Sequence, residues 1–415
     1  MIRKFGLLTP AVLAGLVCQA QPQLSLPQLS LKDAVSTALE LRPSLKAEAE
    51  RMQAAEGARK QAALFPNPEF QFQNENLRPG QTYTRDVDTL AMINQPLDVL
   101  GKRKQRVALA GEGVNRAQAD YDVARWRTVE RVKLAYWNAR GLQEVRDVLR
   151  AAIGSFQKIV DYHAAQLSVG AIAEQDVLRV RLEAERLGIN ADLAALDFSR
   201  ARADLLREMG QTEYVEYALT EKLDGEIQAA PLGVERALEQ RPEIKAARAA
   251  LEQARANAHL QDVSARPDLN LTYGYKRTQL PDALTGVNTA IVSVRVTLPF
   301  TDKNQGNRLA AAAEVRRQQD LVAAAESDVR ADYYTALREF ELRRAEFQTA
   351  LKPLREHAAT ISQIATAAYA EGGVDLLRLL DAERSRLDAD LAWTRGLSEY
   401  RQSIVKLEAA EGVQQ

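Results

Sequence analysis

Few side chains in this sequence could do chemistry on their own. Three histidines, one cysteine and four methionines are spread over 415 residues. His163, His259 and His357 fall on separate helical segments, without the short spacing a metal site uses. Met52, Met92 and Met209 are equally scattered, so no soft-ligand relay is visible. The lone Cys18 excludes an intrachain disulfide, a CxxC redox pair and a Cys-rich zinc site. No HExxH, Walker loop or GxSxG occurs, and Gly111-Glu112-Gly113 lacks the rest of a dinucleotide fingerprint. Lys and Arg number 55 against 56 Asp and Glu, so neither a basic excess for nucleic acid nor an acidic tail is present. The expectation is a protein without catalytic residues, metal ligands or cofactor, whose function lies in its shape.

That shape is carried by long elements. Alanine supplies 68 of the 415 residues, which with Leu, Glu, Arg and Gln favours extended helices. The first twenty residues differ: Arg3 and Lys4 precede an apolar run, Phe5 to Val17, and small residues follow at Cys18 and Ala20. This is the pattern of a signal peptide, residues 1–20, cleaved after Ala20. A lipidated Cys18 is the alternative, but Leu16 and Val17 stand where a lipoprotein signal wants small residues. No later run is long and apolar enough for a transmembrane helix.

Prolines cluster in two stretches, each followed by long helical periodicity. Helices are expected over about 101–166 and 172–209, and again over about 303–369 and 374–410. The first would span ~100 Å at ~1.5 Å per residue, a rod that a soluble globular domain seldom needs. Ala38-Leu39-Glu40-Leu41-Arg42-Pro43 returns as Ala237-Leu238-Glu239-Gln240-Arg241-Pro242, and Ala184-Glu185-Arg186 returns as Ala382-Glu383-Arg384. The offsets of 199 and 198 point to a duplicated half-molecule, with repeats at 21–230 and 231–415.

Between the helices lie extended segments, at about 68–76 and 87–96 and about 267–277 and 288–298. Phe70 and Phe72 alternate with Glu69, Gln71 and Gln73. Leu269 and Leu271 alternate with Asp268 and Asn270, and Val292, Val294 and Val296 with Ser293 and Arg295. The alternation fits transmembrane β-strands with these seven residues facing lipid, or a soluble sheet covered by a helix. The leader and the long helices favour the membrane. Four strands cannot close a barrel, so a membrane sheet requires several copies.

Three segments then carry a family resemblance: Pro66-Asn67-Pro68-Glu69, Gln95-Pro96-Leu97-Asp98-Val99-Leu100-Gly101-Lys102-Arg103, and Ala368-Tyr369-Ala370-Glu371-Gly372-Gly373-Val374-Asp375-Leu376-Leu377. With the duplicated topology, the mature chain resembles a TolC-type outer membrane factor, nearest the CzcC-like heavy-metal efflux branch. The resemblance implies a mainly α fold with a transmembrane β-barrel, as a homotrimer with a twelve-stranded barrel on a periplasmic α-helical barrel. It implies a passive exit duct that docks on a periplasmic adaptor and an inner-membrane resistance-nodulation-division pump. Heavy-metal cations are the expected cargo; a duct for organic compounds or for type I protein secretion is the alternative. A periplasmic coiled-coil adaptor or structural protein is the competing class, but an adaptor would need Gly-rich β segments around a single hairpin.

The resemblance also assigns residues. Leu167, Ser168, Val169 and Gly170, and Ala370, Glu371, Gly372 and Gly373, form the turns that would meet the adaptor, with Gly170 and Gly373 read as the left-handed helix ends. Asp381 matches an acidic aperture position, while Arg378 replaces the family's other acid; Glu371 and Asp375 are further candidates. Lys102, Arg103, Lys104 and Arg106 are read either as contacts to anionic lipid headgroups or as a solvated first turn.

Overall fold

The computed structural model describes residues 26–77, 79, 87–225, 230–279 and 286–413. The leader with Cys18 and most of both hairpin loops lie outside them. In chain order the elements are β1 (Gln28–Leu29), α1 (Leu31–Leu41), α2 (Pro43–Ala62), β2 (Glu69–Glu75), β3 (Asp88–Leu97), α3 (Lys102–Ser168) and α4 (Glu174–Glu208). Then come β4 (Ala218–Leu219), α5 (Val234–Gln240), α6 (Pro242–Ser264), β5 (Leu269–Thr278), β6 (Val287–Val296), α7 (Gln305–Glu346), α8 (Lys352–Ala370) and α9 (Leu376–Ala410). The fold is mainly helical. A π turn, Phe347–Leu351, joins α7 to α8, so the rod expected to be one helix is broken once. Among the described residues no helix is long and apolar enough to cross a membrane.

Two apolar cores stack along the helices. The larger gathers Val132, Tyr136, Phe198, Leu205, Tyr333, Phe340, Leu397 and Ile404 from four long helices. The second runs toward the tips through Leu149, Phe156, Val180, Leu187, Leu380 and Leu387. A short parallel ladder, Gln28 to Ala218 and Leu29 to Leu219, joins β1 to β4. Two residues on each side are too few to leave a periodic signature in the sequence.

The repeated Arg-Pro dipeptide acquires a structural reason. Arg42 and Arg241 sit between paired short helices, where the following proline occupies the first helical turn and needs no N–H partner. Each guanidinium turns onto the end of a long returning helix. Arg42 donates to Glu208 O at 2.7 Å, and Arg241 donates to Ala409 O at 3.4 Å. Carbonyls at a helix C-terminus lack intrahelical donors and carry negative partial charge, so an arginine there satisfies both. The backbone must come close: a Cβ at Gly210 would stand 2.7 Å from Arg42 Cα, and Gly210 has φ +75°.

Beside that junction Glu411 is only 3% exposed, and its Oε1 accepts from Leu232 N at 2.7 Å. Burial holds its carboxyl above the ordinary 4.5. A carboxyl raised on folding stabilises the fold when protonated, and that contribution is lost as pH rises through the raised value. Glu411→Gln keeps the acceptor and should flatten this dependence, with a higher melting temperature than wild type at neutral pH. Melting curves at pH 5 and pH 8 with the same slope in both proteins would remove Glu411 from the account.

Candidate functional site

The sheet order is β2-β3-β5-β6, antiparallel throughout. Residues directly opposite one another share a face, so the register sorts the side chains. Phe70 lies opposite Ile93, Ile93 opposite Tyr273, and Tyr273 opposite Val292. The next row is Phe72, Ala91, Tyr275 and Ala290. Leu271 pairs with Val294 and Leu269 with Val296. All seven residues singled out from the alternation therefore share one face, and β3 adds Ala91 and Ile93. That face is bare: Phe70 is 72% exposed and Val292 74%. An apolar surface this continuous marks contact with a partner or a membrane.

The opposite face is mostly polar; Leu90, Met92 and Ile291 are apolar exceptions. Glu69, Asn94, Thr272 and Ser293 form one row, and Gln73, Leu90, Lys276 and Thr289 another. A side-chain ladder crosses it. Thr272 donates to Asn94 at 2.6 Å, Asn94 to Gln71 at 3.2 Å, and Gln71 to Gln73 at 2.9 Å. Lys276 pairs with Asp88 at 2.9 Å and Glu75 at 3.7 Å. Among the described residues the sheet ends at β2 on one side and β6 on the other, so both outer edges there offer unpaired backbone groups.

The basic run at the start of α3 is mostly engaged by protein, against the lipid-headgroup reading. Lys102 pairs with Asp268 at 2.7 Å and Arg106 with Asp98 at 2.8 Å. Arg103 donates to Ala63 O at 2.7 Å and lies 4.1 Å from the centre of the Phe65 ring. Lys104 is exposed. These cations fasten the sheet to the helices.

At the other end, both helix tips close with the same hydrogen bonds. Gly170 N donates to Leu167 O and Ala171 N to Gln166 O, each at 2.9 Å. Gly372 N donates to Tyr369 O at 3.1 Å and Gly373 N to Ala368 O at 2.8 Å. The left-handed residues are Gly170 at φ +71° and Gly372 at φ +75°, not Gly373 as the sequence suggested. Leu167, Ser168 and Val169, and Ala370 and Glu371, line these turns, with Val169 78% exposed.

The candidate aperture residues separate in role. Asp375 caps α9 by accepting from Arg378 N at 2.9 Å. Glu371, Arg378 and Asp381 are exposed, and among the described residues no ion pair joins Arg378 to Asp381. Both line a cavity of about 320 Å³ with Arg179, Glu183, Leu377, Leu380 and Arg384. The buried acid there is Glu183, 8% exposed, held by Arg384 from α9 with Nε to Oε2 at 2.9 Å. Sequence reading missed it, although the 198-residue offset places Glu183 opposite Asp381 in the duplication.

His163 is buried between α3 and α8. Its Nδ1–H donates to Ile159 O, and the Tyr369 hydroxyl donates to Nε2, each at 2.7 Å. Both ring nitrogens are thus used in packing. Among the described residues no cluster of three or more His, Cys, Asp or Glu could hold a metal ion.

Long paired helices thus carry a four-stranded sheet with one largely apolar face. The chain belongs to the outer membrane efflux protein family, whose model matches residues 34–221 and 233–413. Members of that family are transport ducts and not enzymes. The chain is 25% identical over 385 residues to the cobalt-zinc-cadmium resistance protein CzcC of Cupriavidus metallidurans, covering 92% of this chain and 90% of that protein. Its fold matches the outer-membrane channel OprN with a TM-score of 0.76 at 20% identity, over 92% of this chain and 90% of that one. CusC matches at 0.75 with 19% identity over 92% of both chains. The open-state MtrE outer membrane channel of Neisseria gonorrhoeae matches at 0.75 with 21% identity, over 92% and 89%.

Proposed function

We propose that three copies of this chain close into an exit duct for an efflux pump, with a twelve-stranded barrel in the outer membrane and a helical tunnel in the periplasm. The observation that carries this reading is that the protomer is unfinished laterally at both levels. Among the described residues the sheet has free edges at β2 and β6. The long helices leave apolar stripes uncovered at Leu182, Ile189 and Leu193 of α4 and at Leu354, Ile361 and Ile364 of α8. A second copy laid edge to edge pairs strand with strand and stripe with stripe, and only closure removes the last edge. Two copies would give eight strands, whose interior side chains fill; twelve leave an aqueous lumen.

In this assembly Phe70, Phe72, Leu269, Leu271, Val292, Val294 and Val296 face lipid, and the polar ladder lines the lumen. The two structural repeats, 21–230 and 231–415, each contribute one strand hairpin and one helical hairpin. The tips at Leu167–Gly170 and Ala370–Gly373 receive a periplasmic adaptor, which connects the duct to an inner-membrane resistance-nodulation-division pump. The cargo is heavy-metal cations, supported by the likeness to a protein named for cobalt, zinc and cadmium resistance. No binding site for cargo is needed in a wet lumen. Glu371, Asp375, Arg378 and Asp381 recur three times around the narrow end, where like charges converge.

Detergent extraction of outer membranes should yield a heat-modifiable trimer that conducts ions in planar bilayers. In that bilayer Asp381→Ala should raise conductance; an unchanged value in assembled trimers removes Asp381 from the aperture. Release of the wild-type chain by osmotic shock, without detergent, would overturn the duct.

A further inference from the structure

Lys276 and Arg277 are neighbours near the end of β5 that lies away from the helices, and they belong to opposite faces of the sheet. On the polar face Lys276 is paired with Asp88 and Glu75. Arg277 stands on the apolar face, exposed, and among the described residues it makes no hydrogen bond or ion pair. A cation on a lipid-facing surface is costly at the bilayer midplane and nearly costless at its edge. The register shows that Arg277 is at an edge. It lies opposite Thr89 and Asn288, and Thr89 lies opposite Asn74, so the whole row is polar. The four rows between it and the helices are apolar or tyrosine, apart from Gln95, whose amide donates to Pro66 O.

The height agrees. Arg277 lies eight residues beyond Leu269, ~27 Å along the strand at ~3.4 Å per residue. With the ~40° tilt of barrel strands this is ~20 Å of height, and exposed Leu298 and Phe300 extend the apolar surface at the helix end. The band therefore approaches the ~25 Å of an outer-membrane barrel, and the Arg277 row closes it. Tyr273 and Tyr275 occupy the two rows just inside, as amphipathic rings do at a membrane boundary.

This row is supplied with donors. Arg277 Nε and Gln279 Oε1 would each stand 2.9 Å from a Cβ at Gly286, so the two side chains meet over a glycine that leaves them room. The Tyr275 hydroxyl donates to Asn288 Oδ1, which leaves the Asn288 amide N–H groups to donate outward. A guanidinium presents five N–H groups in a planar fork, and a phosphate presents acceptors in matching geometry. Amides and a hydroxyl flank the guanidinium on both sides, which suits a phosphate carried on a sugar, whose hydroxyls both donate and accept.

We propose that Arg277, with Asn288, Gln279 and Thr89, binds a phosphate group of a phosphorylated glycolipid in the outer leaflet, once in each protomer. The proposal rests on the barrel reading, which sets this end of the sheet in the leaflet far from the periplasm. It adds a lipid site that fixes how deep the barrel sits.

The test uses delipidated wild-type trimers in mild detergent, titrated with diphosphorylated lipid A, with the same lipid A stripped of phosphate, and with phosphatidylglycerol. Bound lipid is counted by native mass spectrometry. Wild type should take the diphosphorylated form about tenfold more tightly than either other lipid, as charge-assisted pairing with a phosphate requires. Arg277→Gln should bring its binding down to the level of the dephosphorylated form, and Arg277→Lys, which keeps the charge without the fork, should lose it several-fold. Arg295→Gln, on the polar face of β6 opposite Asn270, should bind as wild type does. Wild-type binding by Arg277→Gln, or equal binding of the dephosphorylated lipid, would overturn the site. Phosphatidylglycerol bound as tightly as the diphosphorylated form would overturn the glycolipid as its ligand. If Arg277→Gln does not assemble, Arg277→Lys is read by the same criteria. A wild-type chain that yields no heat-modifiable trimer from outer membranes counts against the duct, whereas trimers without lipid preference count against Arg277 alone.

Discussion

Val292→Arg is expected to abolish assembly in the outer membrane, while Ser293→Arg, one residue on, assembles normally. The two positions are neighbours in β6 but belong to opposite faces. Val292 completes the row with Phe70, Ile93 and Tyr273, and Ser293 the row with Glu69, Asn94 and Thr272. Placed mid-strand on the lipid side, an arginine costs ~2–4 kcal/mol at the bilayer midplane. In the proposed threefold barrel that cost would recur in every copy, and assembly would be cooperative. On the lumen side the same side chain remains in water and costs little. The measurement is the heat-modifiable trimer in outer-membrane fractions, beside total chain in whole cells. Equal trimer from both variants would mean that the apolar face does not meet lipid, and the barrel would be withdrawn with it.

The second large effect is expected at the tips. Gly170→Leu forces a branched side chain into φ +71°, at a cost of ~1–2 kcal/mol. A Cβ there meets no atom within 4 Å, so the disturbance is confined to the turn. Trimers should persist while metal resistance conferred with the cognate pump is lost, because the adaptor proposed to dock here would meet an altered surface. Ser168→Trp should do the same without backbone strain. Gly372→Leu repeats the argument in the second turn. Gly373→Ala should be milder, since Gly373 lacks the left-handed conformation and its Cβ would approach Ala368 O at 3.3 Å. Loss of trimer in both Gly170→Leu and Ser168→Trp would show that the turns serve folding. Full resistance in both would place the docking surface elsewhere.

The residues that the sequence alone located are those with a local signature. Helical periodicity over many turns and abundant alanine made the long helices legible, because each turn repeats the same preference. Strict alternation assigned Phe70, Phe72, Leu269, Leu271 and the valines of β6 to a single side of their strands, since successive residues of a strand point to opposite faces. The duplication was visible as identical tripeptides, with a repeated Arg-Pro, at nearly constant offset.

What the tertiary structure decided involves partners distant in sequence. Ala91 and Ile93 join the apolar face only because β3 pairs between β2 and β5 in a particular register; Met92 and Leu90 blur the alternation of β3 itself. Gly372 rather than Gly373 takes the left-handed conformation because it directly follows the C-cap Glu371, as Gly170 follows Val169. Glu183 looks like any helix-face carboxylate until Arg384 arrives from a helix about two hundred residues away. Lys102 and Arg106 look like free cations until Asp268 and Asp98 are placed beside them. Arg42 and Arg241 are repeated in the sequence without a visible reason, which appears once the carbonyl ends of α4 and α9 lie against them. Secondary structure follows from preferences that add along the chain, whereas the pairing of charges, caps and close glycine contacts depends on which distant segments packing brings within a few ångströms.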